Sequence, residues 1–597
     1  MKRFKIMFEY MKGNVLKYIG AIVAILLAVT ASLIVPLVVR TTIDSVIGTD
    51  PIDNANMIGR FFLYFGSKEE LIQMLWLPGI LVVTLTIARG VFLYFKGKWS
   101  AQASETIAKN LRDRLYGHLQ ELSYEYHVSA ETGDLIQRCT SDVDMIRRFL
   151  GTQMVEIFRA IFMIITIAFI VLNLDMNLGL ISLAVVPVIF FYSYFFFKRI
   201  QRTFKVVDEA EGAMSTTIQE NLTGVRVVRA FGRQAYEIDK FEEKNAHMRD
   251  SVLRLLELFA QYWSSSDIIC LSQSALVLCI GTVWTVQGKI TLGTLFAFTS
   301  YVGMLLWPVR QLGRILTDMS KAFVAIDRTQ EILQVPSEMT TSGDNFSPIK
   351  GSIEFDHVSF EYEEGRKILD DISFKVNKGE TLAILGPTGS GKSTLVHLMA
   401  RLYDVDKGSI KIDGIDVKDY NKKHLREHVG LILQEPFLFA KNIRDNIKIA
   451  KADADHHHVE NAAKTAVIHD KIVEFNEGYE TLVGERGVSL SGGQKQRMAI
   501  ARRIITDAPV VIFDDSLSAV DTETDSAIRH RLKHTDKALT TIIISHRVST
   551  LSEADRIMIL EDGKITDLDT HDALIKKEGL YKRIWEIQNA YKEEDII

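Results

Sequence analysis

Residues 386–394 read Gly-Pro-Thr-Gly-Ser-Gly-Lys-Ser-Thr, a run of glycine, lysine and hydroxyl residues spaced to grip a triphosphate. Glycines at 386, 389 and 391 let backbone N–H groups turn toward phosphate oxygens. The start of a following helix adds partial positive charge, and Lys392 supplies a full one. Ser393 stands where its hydroxyl can ligate Mg²⁺. Farther along, the apolar run 510–513 delivers an acidic pair, Asp514-Asp515. Together these stretches predict that the chain binds a nucleoside triphosphate, with Gly386, Thr388, Gly389, Ser390, Gly391, Lys392, Ser393 and Thr394 forming the phosphate loop. Such a loop works only when clamped between two rigid elements. The apolar segment 381–385 predicts a strand leading into it, and the pattern over 395–402 predicts a helix leading out.

The rest of the chain must carry this loop, and its two halves differ in character. At 597 residues the chain exceeds one compact core, so two or three units are expected. Up to about residue 316 it holds long apolar stretches. From about 350 it alternates short strand-like and helix-like segments of ordinary charge. This predicts an all-α membrane domain over 1–330, a linker over 331–350 and an α/β nucleotide-binding domain over 351–597. The Ser-, Thr-, Gly- and Pro-rich run 336–348 breaks the helical pattern and marks the linker. A formal net charge of −5 gives no sign of a nucleic-acid partner. Cys139, Cys270 and Cys279 lack metal-ligand spacing and read as buried thiols. Lys2, Arg3, Lys5, Lys12 and Lys17 precede a first apolar stretch that is long and has no small-residue cleavage site after it, so it reads as a retained span.

Six stretches are long enough to cross a bilayer, at about residues 17–39, 71–95, 155–174, 178–197, 267–286 and 292–316. Basic residues follow the second span (Lys96, Lys98) and the fourth (Lys198, Arg199, Arg202), whereas 173–177 carries none. The N-terminus and the connections 99–151 and 201–263 are therefore expected in the cytoplasm, with the membrane helices continuing into them. An outer loop between the first two spans carries Asp44, Asp50 and Asp53. Arg40, Arg89, Glu156, Arg159, Asp267, Gln273 and Arg310 lie in or near the spans. A charge in hydrocarbon points to a substrate path, while the positions near span ends also allow snorkelling. The aromatic run 190–197 reads as an interfacial girdle. His456-His457-His458 fan around a helix and read as a solvated run.

In the soluble half, strand signals at 352–355 and 357–362 precede the phosphate loop, and a last strand is expected near 557–560. The alternation implies a mostly parallel sheet flanked by helices. Within it, Leu490-Ser491-Gly492-Gly493-Gln494 resembles the signature motif of ATP-binding cassette (ABC) transporters. With six spans ahead of one cassette, the chain resembles an exporter-type half-transporter over nearly its whole length. The resemblance implies ATP and Mg²⁺ as ligands and ATP hydrolysis coupled to transport. It implies that Tyr362 stacks on adenine, that Gln434 touches the metal and the membrane half, and that Asp514 binds the metal beside Ser393. His546 then matches the histidine at the γ-phosphate and Asp521 a loop that communicates across a dimer. Glu485-Arg486-Gly487 resembles the segment preceding the signature in exporters. Ser491, Gly492, Gly493 and Gln494 are implied to face nucleotide held by a second cassette, so two half-transporter subunits are needed. Short helices near 123–128 and 230–233 match the places where the family passes movement to the membrane.

One position departs from the family. Asp515 stands where most members carry Glu, the residue that orients or deprotonates the attacking water. A carboxylate one methylene shorter falls back by about 1 Å, and misplacement of that order costs about 100-fold in rate. Slow hydrolysis is expected at the site built on Lys392, with binding retained. An impaired base beside an intact signature resembles one chain of a heterodimeric exporter, with a sluggish homodimer as the competing account. An exporter of amphipathic or apolar compounds in a bacterial inner or plasma membrane is the leading reading. An importer on the same fold and a nucleotide-regulated membrane protein are the alternatives.

Overall fold

The computed structural model describes residues 2–52, 57–363, 365–484, 487, 489–534 and 538–594. The chain divides into two compact units, Met1–Gln120 with Thr132–Val335, and Glu121–Glu131 with Pro336–Ile597.

The first unit is helical. Its main helices are α1 (Val15–Thr41), α2 (Trp76–Glu121), α3 (Met154–Leu174), α4 (Val185–Ala230), α5 (Gln234–Val286) and α6 (Leu292–Gln334). Among the described residues, six helical stretches are long and apolar enough to cross a membrane. The 53 residues of α5 span about 80 Å at about 1.5 Å per residue, far more than a hydrocarbon core of about 30 Å. The helix is thus long enough for its charged first half to extend beyond a bilayer. α4 packs along α5, while α6 touches α1, α3 and α4. Between them Leu33, Ile167, Leu178, Val277, Phe298, Tyr301 and Leu305 form a buried cluster. Tyr301 places its hydroxyl there by donating to the Leu33 carbonyl at 2.6 Å.

The polar residues of the spans mostly find partners. Asp267 pairs with Arg310 at 2.6 Å, and the Arg310 guanidinium also lies over the Trp263 ring, 4.6 Å from its centre. Glu156 takes Lys96 at 3.1 Å and Arg159 at 2.5 Å. Gln273 donates to the Ile181 carbonyl at 2.7 Å, Arg40 donates to Thr294, and Arg89 is exposed. Most of these groups are paired without any substrate, which weakens a transport reading for each paired group alone, although the buried Arg310 Nε takes no hydrogen bond among the described residues. The outer segment holds a π-helical turn (Thr42–Ile47) and helices Met57–Phe65 and Lys68–Gln73. Within it Asp44 accepts from the Thr291 hydroxyl and the Gly293 amide at 2.5 and 2.7 Å, so its charge sits at the positive end of α6. Asp53 lies outside the described residues. The aromatic run divides by helical period: Tyr192, Phe196 and Phe197 pack on buried Tyr262, whereas Phe190, Phe191, Tyr194 and Phe195 are exposed. Cys270 is buried and Cys139 half-buried, but Cys279 is exposed, because nine residues along α5 turn it to another face.

The second unit contains two sheets. One is antiparallel, in the order β2 (Lys367–Val376), β1 (Ile353–Glu361), β4 (Lys407–Ile412), β5 (Ile415–Asp416). The two strands expected at 352–355 and 357–362 are one strand, β1. The break in alternation between them is a bulge, with His357 at φ 52° and a register shift against both neighbours. The other sheet runs β10 (Lys564–Asp569), β9 (Arg556–Glu561), β3 (Thr381–Leu385), β8 (Thr540–Ile544), β7 (Val510–Asp514), β6 (Val429–Ile432). It is parallel except for β10. β3, β7 and β8 are buried at every residue, as unbroken apolar strands covered on both faces must be. Alternation sends Leu382, Ile384, Ile512, Ile542 and Ile544 to one layer, and Val511, Phe513 and Ile543 to the other. The segment 336–348 is fastened to this unit: Glu338 forms a forked pair with Arg426 at 2.7 and 2.9 Å, and Lys422 donates to Thr341 at 2.9 Å.

Candidate nucleotide-binding site

The parallel strands end on one edge, and the phosphate loop leaves β3 there. Helix α7 (Lys392–Met399) follows immediately, its N-cap Gly391 in the left-handed region at φ 98°. A side chain at Gly391 would meet the Leu369 side chain at 2.7 Å, and one at Gly386 would meet the Leu560 carbonyl at 2.1 Å. Only glycine lets the loop lie this close to its neighbours. The expected helix over 395–402 thus starts earlier and stops at Met399, where Arg401 takes φ 49°.

Within the loop the Lys392 ammonium donates to the carbonyls of Gly386 and Pro387, both at 2.8 Å. Its burial holds it below the usual lysine range, against the pull of Asp515 and Asp514. The Ser390 hydroxyl is buried without a partner, an orphan that a phosphate oxygen would satisfy. Ser393 donates to Asp514 at 3.0 Å, joining the end of the loop to the end of β7. A hydroxyl and a carboxylate so placed suit Mg²⁺, which takes few protein oxygens and keeps waters or phosphates for the rest. Burial pushes Asp514 above the ordinary carboxylate range, opposed by the Ser393 hydrogen bond. The residues present therefore fit a magnesium nucleotide.

Asp515 adopts φ 45°, which turns it out of the strand. Its amide donates to the Ile544 carbonyl at 3.2 Å, and its carboxylate accepts from Gln434 at a long 3.4 Å. Burial raises it too, opposed by His546, Lys392 and Arg547. Gln434 follows β6, so the edge of the sheet brings Lys392, Ser393, Gln434, Asp514 and Asp515 together. Tyr362, just past β1, shares a hydrogen bond of 3.1 Å with Thr394. Its ring meets Tyr403 edge-on at 5.1 Å and stays 45% exposed, leaving a face for a planar base.

The signature lies elsewhere on the unit. Ser491 caps α9 (Gly492–Ile504) in a reciprocal box: Gln494 N–H donates to the serine hydroxyl at 3.3 Å, and Ser491 N–H to the glutamine oxygen at 2.8 Å. Gln494, expected at nucleotide, thus uses its side-chain oxygen to hold the helix start, a role the Ser-x-x-Gln spacing itself encodes. A side chain at Gly492 would meet open space. Among the described residues no hydrogen bond joins Ser491, Gly492 or Gly493 to residues 386–394. Asp521 caps α10 (Thr522–Lys533) by accepting from Thr524 at 2.9 Å, and His546 is exposed. Glu485 and Arg486 lie outside the described residues.

Three residues join the site that the sequence reading assigned no role. Arg547 donates to the carbonyls of Ser518 and Val520, both at 2.6 Å, tying the His546 turn to the loop that carries Asp515 and Asp521. Tyr403 supplies the second wall beside Tyr362. His397, on α7, lies against Tyr403 and against Tyr124 of the short helix Tyr124–Ser129, with ring centres 6.4 and 5.8 Å apart. Their roles depend on partners remote in the chain, Tyr124 and Tyr362 for the rings and Ser518 and Val520 for Arg547.

Comparison with known proteins matches the two halves separately. Residues 18–309 match the family described as ABC transporter transmembrane region, and 369–518 the family described as ABC transporter. A putative multidrug export ATP-binding/permease protein of Bacillus subtilis, YgaD, is 34% identical over 526 residues, 88% of this chain and 91% of that one. The chain belongs to the ABC transporter family. A second Bacillus subtilis protein, the uncharacterized ABC transporter ATP-binding protein YknU, is 33% identical over 97% of this chain and 96% of its own. The fold is similar to that of a bacterial Atm1-family ABC exporter with ATP bound, at TM-score 0.79 and 26% identity, covering 96% of this ABC transporter and 99% of that chain. Hydrolysis of ATP coupled to transport and assembly from two half-transporters follow from membership.

Proposed function

We propose that this chain is one half of a heterodimeric exporter moving amphipathic or apolar compounds outward, with a slow ATP site of its own and a sound signature lent to its partner. The observation that carries the reading is the contrast between Asp515 and Ser491. The carboxylate that would orient water is one methylene short and reaches Gln434 only at 3.4 Å, whereas the signature helix is fully capped and opens onto free space at Gly492.

In this reading the loop 386–394 holds the triphosphate, Lys392 exchanges its two carbonyls for phosphate oxygens, and Ser393 with Asp514 and Gln434 hold Mg²⁺. When bound, the metal neutralises phosphate charge. Tyr362 stacks on the base, and His546 and Asp521 face the seam. Ser491 and the amides at the start of α9 point their donors at nucleotide on the partner, so each nucleotide bridges two subunits. The N-terminus and the cassette lie in the cytoplasm of a bacterial inner membrane, in keeping with the basic residues after the second and fourth spans. Measuring ATPase by the chain alone, and again co-expressed with a candidate partner that carries Glu, tests this. Turnover by the pair and little by the single chain is expected. Brisk turnover by the single chain would remove the heterodimer reading.

A further inference from the structure

Helix α8 (Lys422–His428) carries His424, Glu427 and His428 near its end, a spacing of His-x-x-Glu-His that sets all three on neighbouring positions of one helical face. One ligand atom from each lies within 4.8 Å of the others, and the two imidazole centres are 4.4 Å apart. His424 Nε2 lies 3.0 Å from the Ser347 carbonyl, and His428 Nδ1 lies 2.8 Å from the His424 carbonyl. A carbonyl can only accept, so each of these nitrogens bears the proton. His424 Nδ1 and His428 Nε2 are left with their lone pairs. Metal-bound histidines characteristically give their other N–H to a carbonyl or carboxylate, which fixes the tautomer and the ring. Here both rings are fixed so, and His424 is further bracketed by Tyr420, stacked at 6.3 Å, and Phe346, edge-on at 5.7 Å.

We propose that His424, Glu427 and His428 bind one divalent transition metal, of the Zn²⁺ or Ni²⁺ class. Two imidazoles and one carboxylate suit such an ion and leave an open position for water. Donors around Zn²⁺ stand roughly 3.3 Å apart at tetrahedral geometry, so donors up to 4.8 Å apart must close by up to about 1.5 Å. The exposed Glu427 can swing to do so, its side chain's one ion-pair partner among the described residues being Lys423 at a loose 4.0 Å. The bound ion would fix the His424 ring, whose Nε2 donates to the Ser347 carbonyl, and β6 follows α8 directly, leading to Gln434. The run His456-His457-His458 is a poorer site: His458 is taken by Asp455 at 2.7 Å, His457 by Asn461 and His456 by the Tyr479 ring.

The test uses the full chain in lipid nanodiscs, without an oligohistidine tag, stripped with chelator and free of nucleotide and Mg²⁺. Titration with ZnCl₂ or NiCl₂ alone by calorimetry should show one saturable micromolar equivalent and a raised thermal midpoint. H424A/H428A should weaken binding at least about 10-fold and abolish the thermal gain, E427Q should weaken it less, and H456A/H457A/H458A should leave it unchanged. The single variant H428N, with its metal-free midpoint compared to the parent, guards against misfolding of the double variant and should also weaken binding. Absence of saturable binding, equal binding by a folded H428N or H424A/H428A, or loss of binding with the 456–458 triple would each overturn the proposal.

Discussion

Restoring the missing methylene at Asp515 should quicken this chain's own ATP site. The carboxylate accepts from Gln434 at 3.4 Å, beyond the usual range of an N–H···O bond, and the backbone at φ 45° is held by the hydrogen bond that the Asp515 N–H donates to the Ile544 carbonyl. It cannot slide forward to compensate. Asp515→Glu moves the oxygens outward by about 1 Å, and recovery of about 100-fold in turnover corresponds to about 2.7 kcal/mol of barrier. The assay is phosphate release by the reconstituted pair, with the partner's own phosphate-loop lysine changed to alanine so that only the site on Lys392 is read. Nucleotide affinity, measured by equilibrium binding, should stay within about threefold, because Lys392, Ser393 and Asp514 are untouched. Asp515→Asn should lower the residual rate further. Turnover by D515E within twofold of the parent, at unchanged affinity, would refute the argument that side-chain length limits this site.

Burial raises the Asp515 carboxyl above its ordinary 3.8. As a base it must be ionised, so the acid limb of the pH–rate profile should sit above the ordinary aspartate range and fall as pH drops through it. For stability the sign is opposite: a raised carboxyl at 514 and 515 favours the apo fold below the ordinary aspartate value and loses that contribution as pH rises through the folded values. Mg²⁺ with nucleotide should then raise the thermal midpoint more at neutral than at mildly acidic pH. Arg547→Ala removes two charged hydrogen bonds to Ser518 and Val520, each of the class worth about 1.5–3 kcal/mol. It should loosen the Asp521 loop and weaken ATP-dependent cassette pairing, read by cross-linking yield, with little change in nucleotide affinity. Tyr362→Ala should weaken ATP binding about 10-fold through loss of stacking, while Tyr362→Phe, losing only the bond to Thr394, should stay within about threefold. Asp267→Ala removes the carboxylate partner of the buried Arg310 guanidinium, which keeps its place over the Trp263 ring. A lowered thermal midpoint in detergent, reversed in part by adding Arg310→Met, is expected.

The amino-acid sequence alone determined what depends on neighbours in the chain. Hydrophobic runs of bilayer length mark the spans, since every residue of such a run must meet lipid or helix. The order of glycines, Lys392 and Ser393 defines a phosphate cradle, since backbone torsions and the start of a helix make it. Ser491 and Gln494 encode their own cap. Pairings across large separations were decided only by the tertiary structure: Ser393 with Asp514, 121 residues apart; Asp267 with Arg310; and Arg547 with the Asp521 loop. The same holds for His424, whose spacing to His428 is plain in the sequence while the carbonyl that fixes its tautomer comes from Ser347. Periodicity reports which face of an element is apolar, but not which element will cover it. A hydrogen bond or ion pair gains meaning only once packing has excluded water and chosen the partner.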